Sequence, residues 1–233
     1  MLNNMATRAA TGKTKRGPRP AARDSFTRLA PDARRAQILE AAEHFFATRP
    51  NAGFSVAEVA TRAEVTPGLV YHYYETKEKL IAAVCDLRAQ EMLAAILVFD
   101  LRGPLELIEH GVRGYLDFVE AHKRVYLNLF KSSMAAQPEI VRIVEQAREA
   151  IIEHFASALS INLAQAPMFR LALRGFIGFT EFVVLDWLEH RAVPRAEIEK
   201  LCFQAIGGTL GVGLPDDFDT SAFKAAYRAH FGF

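Results

Sequence analysis

Apolar residues along this chain recur every three or four positions, the period of a helix with one buried face. Nowhere do they alternate over a run closed by hairpin turn residues. From Pro31-Asp32 onward Ile38, Leu39, Ala42, Phe45 and Phe46 form a first stripe, which ends near Arg49-Pro50-Asn51 with Gly53 following. Ser55 stands three residues before Glu58, the spacing of a capping box, and Val56, Val59 and Ala60 predict a short second helix. Thr66-Pro67 reads as an N-cap followed by proline at the first helical position, where the missing N–H has no intrahelical partner to lose. It predicts a third helix to Tyr74. Only a few residues around Ala63 to Val65 separate the second and third helices, which forces them to cross steeply. Thr76 caps a fourth helix that begins Lys77-Glu78-Lys79-Leu80 and runs to about Phe99.

Farther along, Gly103-Pro104 opens a helix to about Ala121, and His122 to Lys131 forms another. Gln137-Pro138 opens a long one with Ile140, Val144, Ile151, Phe155 and Leu159 on one stripe. Pro167 starts a helix through Leu188, Pro194 one through about Leu210, and Phe218 to Phe231 a last short one. The expected fold class is all-α, with nine or ten helices. It divides into a basic, disordered arm over residues 1–30, a three-helix unit over 31–77 and a larger helical domain over 78–233.

Composition changes this picture little, and charge changes it more. The chain has 233 residues, 51% of them apolar and 24% charged, as in an ordinary globular protein. No uninterrupted apolar run approaches the roughly 18 residues of a membrane span. The basic start lacks the apolar stretch of a secretory leader, so no membrane partner and a cytoplasmic location are expected. Cys85 and Cys202 lie far apart without a CxxC pair and read as small core residues. The net charge of +1 hides two halves of opposite sign. Residues 1–80 carry 13 Lys and Arg against 8 Asp and Glu, whereas the remainder carries 15 against 19. That asymmetry points the N-terminal part toward a polyanion.

Three helices with a short turn between the second and third make a helix-turn-helix candidate. The stretch Phe54-Ser55-Val56-Ala57-Glu58-Val59-Ala60, followed by Val65-Thr66-Pro67-Gly68-Leu69-Val70-Tyr71-His72-Tyr73-Tyr74-Glu75-Thr76-Lys77-Glu78-Lys79-Leu80, resembles the DNA-binding domain of the TetR family of transcriptional regulators. Val70 and Tyr74 share a helical face and are expected to pack on Ile38, Phe45 and Val59. Thr66, Pro67, Gly68, Leu69, His72 and Tyr73 lie toward the other side or the N-terminal end of the third helix, where a recognition helix meets base edges. Gly68 permits close approach, Leu69 can touch a thymine methyl, and His72 can hydrogen-bond a base or phosphate. The resemblance implies that Tyr71 and Lys77 hold phosphates, with Ser55 doing so from the start of the second helix. One position departs from the family pattern: Glu64 stands where a glycine is usual. A left-handed conformation there costs a non-glycine residue on the order of 1 kcal/mol.

For the larger domain the resemblance implies a ligand pocket among helices five to eight. An apolar, aromatic lining suits a small hydrophobic effector such as an acyl chain, a steroid-like or an aromatic compound. Tyr115, Phe118, Tyr126, Phe130 and Phe179 are its expected wall. The Pro167 and Pro194 helices look like the family's dimerising pair. Gly175, Gly178, Gly207 and Gly208 permit close approach, and Phe176, Phe182, Val183 and Trp187 supply apolar contact for a homodimer.

Glu106 and His110, one turn apart, lack a third metal ligand and read as an exposed ion pair. No P-loop, Rossmann glycine pattern, HExxH or GxSxG is present, so neither an enzyme nor a cofactor is expected. The expected function is a ligand-responsive repressor that binds a pseudo-palindromic double-stranded DNA operator as a dimer. The alternative, a helical ligand-binding protein with a basic tail and no specific DNA role, leaves the Thr66 to Lys77 motif unexplained.

Overall fold

The computed structural model describes residues 30–49, 53–98, 103–215 and 220–232. Among these the chain forms ten α-helices and no strand: α1 Pro31–Thr48, α2 Val56–Arg62, α3 Pro67–Tyr74, α4 Lys77–Ile96, α5 Pro104–Ala121, α6 Lys123–Lys131, α7 Pro138–Ala158, α8 Pro167–His190, α9 Arg195–Gly213 and α10 Thr220–Phe231. A 3-10 turn, Ser133–Ala136, joins α6 to α7. The all-α expectation holds. Residues 1–29 of the expected arm, together with Phe99 and Phe218, lie outside the described residues.

Proline sets most helix starts: Pro31, Pro67, Pro104, Pro138 and Pro167 each occupy the first helical position of their element. The ends are less legible. α4 stops at Ile96, short of Phe99, and α9 continues past Leu210 to Gly213. Glycines do not break α9 there because α8 presses on it: a Cβ on Gly213 would stand 2.7 Å from the Ala172 Cβ. Likewise a side chain on Gly114 would run into the Ala95 carbonyl, so α4 and α5 touch backbone to backbone.

Two apolar cores result. One lies among α5 to α10, around Leu116, Phe169, Val184, Leu188, Cys202 and Ile206. The other gathers Ile38, Phe46, Val59, Val70, Tyr74 and Leu80 from α1 to α4, and it includes Val125, Met134, Ile140 and Ile143 from α6, the 3-10 turn and α7. Val70 and Tyr74 thus pack with Ile38 and Val59 as their spacing implied, with Phe45 half-buried at the margin. Cys85 and Cys202 are free and buried, and burial pushes their thiols up to about 12 and about 11.

Candidate nucleic-acid interface

The N-terminal surface is built by caps. Ser55 begins α2 with a complete capping box: its hydroxyl accepts from the Glu58 N–H at 3.3 Å, and Glu58 accepts from the Ser55 N–H at 2.8 Å. The same hydroxyl donates to Glu58 at 2.9 Å, and Arg49 reaches that carboxylate at 2.6 Å. The Arg49 hydrogen bond, then those from the Ser55 backbone and side chain, hold the Glu58 carboxyl down at about 2. The Ser55 side chain is therefore committed to the cap, and an anion at this point meets the backbone of the first turn.

α2 ends in a left-handed turn. Val65 N–H donates to Ala60 at 2.9 Å and Glu64 N–H to Thr61 at 3.2 Å, with Glu64 at φ +51°. Glu64 does occupy the strained position that the family fills with glycine. Glu64→Gly is expected to stabilise the protein by up to about 1 kcal/mol in thermal unfolding. A fall in stability would mean that the carboxylate makes a compensating interaction.

α3 starts on Thr66, whose hydroxyl accepts from the Leu69 N–H at 3.3 Å. Pro67, Gly68, Tyr71 and His72 are exposed on one side, with Leu69 half-buried at its edge and Tyr71 49% exposed. Nothing within 4 Å would meet a Cβ on Gly68, so internal packing does not require glycine there. Tyr74 is buried, and its hydroxyl donates to the Arg35 carbonyl at 3.3 Å. The Tyr73 hydroxyl turns back toward the Pro31 carbonyl at 3.5 Å, which places that side chain against the start of α1 rather than among the exposed group. Lys77, in the first turn of α4, holds its ammonium 4.7 Å from the centre of the Phe54 ring, beside the start of α2. Thr61 and Arg62 are also exposed at the end of α2.

In the larger domain α4, α5, α6, α7 and α8, with Ile206 of α9, line an apolar cavity that is partly open to solvent. Tyr115, Phe118, Tyr126 and Phe130 are among its lining residues. Phe179 is not. α8 presents Phe176, Ile177 and Thr180 to the cavity, and Phe179 points outward. The expected dimer residues also divide. Gly175, Gly208 and Phe182 are exposed, Phe182 by 78%, and Gly178 and Val183 are half-exposed. Trp187, only 3% exposed, is turned inward instead, its indole N–H donating to the Val193 carbonyl at 2.9 Å where the chain folds back into α9. Gly207 is an internal contact too, since a Cβ there would stand 2.6 Å from the Tyr227 ring of α10. Among the described residues no three His, Cys, Asp or Glu side chains converge as a metal site, and no helix is long and apolar enough to cross a membrane.

Residues 38–84 match the family model for bacterial regulatory proteins of the tetR family, and residues 104–207 match a tetracyclin repressor-like C-terminal domain. The chain belongs to the TetR family. It is a DNA-binding transcriptional regulator, and the three-helix unit at its N-terminus is the family's helix-turn-helix domain. It is 23% identical over 166 residues to the HTH-type transcriptional activator FasR of Mycolicibacterium smegmatis, covering 70% of this chain and 76% of that one. Over 51 residues it is 43% identical to the HTH-type transcriptional repressor Rv3405c of Mycobacterium tuberculosis, a span of 22% of this chain and 27% of that one. A tetR-family regulator from Streptomyces coelicolor shares the fold with a TM-score of 0.69 at 24% identity, covering 88% of this chain and 87% of that structure.

Proposed function

We propose that this TetR-family protein is a homodimeric repressor that holds a pseudo-palindromic operator in the bacterial cytoplasm and releases it when a small hydrophobic effector enters the cavity. The observation that carries this reading is the course of α4. The helix leaves the Thr76 cap directly after α3, and by Cys85, Arg88, Met92 and Ile96 it forms one wall of the cavity. A ligand that displaces that wall moves the base of the recognition helix. Two half-sites must be engaged together for tight binding, so a small change in their separation suffices for release.

In this reading Thr66, Pro67, Gly68, Leu69 and His72 meet base edges, and Tyr71, Lys77 and the first turn of α2 at Ser55 meet phosphates. The exposed surface of α3 and the freedom around Gly68 support that division. Tyr71→Phe with Lys77→Ala is expected to weaken binding to every sequence and to lower the salt slope by about one unit for each phosphate no longer neutralised. Changing Leu69 or His72 alters base preference at one position, by about 1–3 kcal/mol. The reverse pattern would overturn the assignment. The function itself is tested by selecting from random DNA duplexes at two salt concentrations. Enrichment of a palindrome that survives the higher salt supports a dimeric regulator. Weak, salt-sensitive binding without an enriched sequence returns the protein to the ligand-binding alternative.

A further inference from the structure

The polar groups in the cavity wall restrict what it can hold. Arg148 bonds Glu181 through two nitrogens and Glu145 through the third, and Glu145 also takes Arg174. Those four side chains, two cations and two anions, sum to zero. The Glu181 hydrogen bond above all holds the Arg148 guanidinium well above its ordinary range, so it stays charged and paired. Arg88, the other arginine in the wall, bonds Glu43 and Glu91. The charge of every carboxylate and guanidinium lining the space is therefore balanced within the protein, while the buried Arg88 Nε–H has no hydrogen-bond partner among the described residues and is open to a neutral acceptor. An ionised ligand group directed at Arg88, Arg148 or Glu181 would compete with one of these pairs in an apolar surround; the His122 imidazole, beside the Phe118 ring, also lines the space.

The neutral groups are not spent. The Tyr115 and Tyr126 hydroxyls bond each other. Only one hydrogen can lie between two oxygens, and the second O–H has no acceptor among the described residues. Burial raises both phenols above their ordinary value, which keeps them as neutral donors. Thr180 lines the same space, and its buried hydroxyl lacks an oxygen or nitrogen partner, with only the Cys202 thiol, a weak acceptor, beside it. Unsatisfied hydroxyls in a wall otherwise made of residues such as Met92, Ile96, Val112, Ile151 and Phe155 mark the place for a polar atom.

Resting on the effector reading above, we infer that the part of the effector enclosed by this cavity is an uncharged, apolar skeleton bearing a hydroxyl or carbonyl oxygen, held by the Tyr115–Tyr126 pair and Thr180. The full-length protein is titrated at pH 7.5 with 1-decanol, methyl decanoate, decanoate, decylamine and decane, each by displacement of the neutral dye Nile red. The alcohol and ester are expected to bind roughly tenfold or more tightly than the two ionised compounds. Tyr115→Phe with Tyr126→Phe, and independently Thr180→Val, reduce the preference for the alcohol over decane while leaving decane binding in place. Tighter binding of decanoate or decylamine overturns the inference and leaves the effector cavity standing. If Nile red and all five compounds fail to bind, the effector reading falls and takes this inference with it.

Discussion

Replacing Phe182 by Asp is expected to divide the proposed homodimer into monomers and to lower operator affinity by about a hundredfold or more, the advantage that linking two half-sites confers. Phe182 lies on a stripe of α8 that includes Leu171, Gly175, Gly178 and Phe179, and α9 adds Leu201, Gly208 and Val212. Leu171 is 65% and Val212 73% exposed, which is unusual for large side chains without a partner surface. Their i, i+7 spacing, Leu171 with Gly178 and Gly175 with Phe182, matches a seam between helices, and the glycines permit close approach. In the proposed homodimer a two-fold axis would place each substitution in the interface twice. Desolvating both carboxylates there costs several kcal/mol. Light scattering coupled to size exclusion measures the mass, and fluorescence anisotropy with the selected operator measures the affinity. Val141→Asp, an exposed apolar position on α7, serves as the control and retains the dimer. If Phe182→Asp stays dimeric and binds normally, the interface lies elsewhere.

A second large effect is expected at Arg88. This side chain lines the cavity and also bonds Glu43 of α1, and the two are only 20% and 19% exposed. Burial works against the Arg88 charge, but the Glu43 and Glu91 carboxylates outweigh it and raise the guanidinium above its ordinary value. Asn128 of α6 makes a second tie, donating to the Phe46 carbonyl near the end of α1 at 2.6 Å. The double variant Arg88→Met, Glu43→Gln removes the half-buried ion pair without orphaning either of its two charges, and the Glu91 carboxylate, which also loses Arg88, is the more exposed to solvent. It is expected to bind operator within a few-fold of the parent, yet to lose most of the release that effector causes. Coupling energies of this kind run at about 1–3 kcal/mol, or 5- to 150-fold. Anisotropy titrations with and without effector measure the loss. An unaltered response would place the coupling on other residues, Asn128 first among them.

Why the helix starts and the α2–α3 unit were legible in the sequence, while the facing of α8 was not, has a physical cause. Starts are marked locally: a proline or a capping threonine acts within one turn, so Pro67 and Thr76 declare themselves without knowledge of the rest of the fold. The turn at Glu64 is legible only through the resemblance, which has a glycine at that position; the residue itself gives no local sign of its positive φ. α8 is apolar on nearly every side, since it meets the core, the cavity and an exposed stripe. Its periodicity could not separate Phe176, which faces the cavity, from Phe179, which does not. The inward contacts of Trp187 and Gly207 leave no local trace, because what they touch, Val193 beyond the α8 end and Tyr227 on α10, comes from chain folding back over them. The Arg88–Glu43 pair joins residues 45 positions apart and leaves no periodic trace.

The inclusion of Val125, Met134, Ile140 and Ile143 in the N-terminal core bears on how such regulators can be recombined. A hybrid made by joining residues 31–77 to the remainder of another family member would inherit a recognition helix but lose the side chains that close the apolar centre beneath it. Its operator reading and its folding would then be set by two different parents. A successful graft has to carry these four positions, together with the α4 residues Leu80, Ile81, Val84 and Cys85, across with the helix-turn-helix, so the unit of exchange is a patchwork in sequence although it is continuous in space.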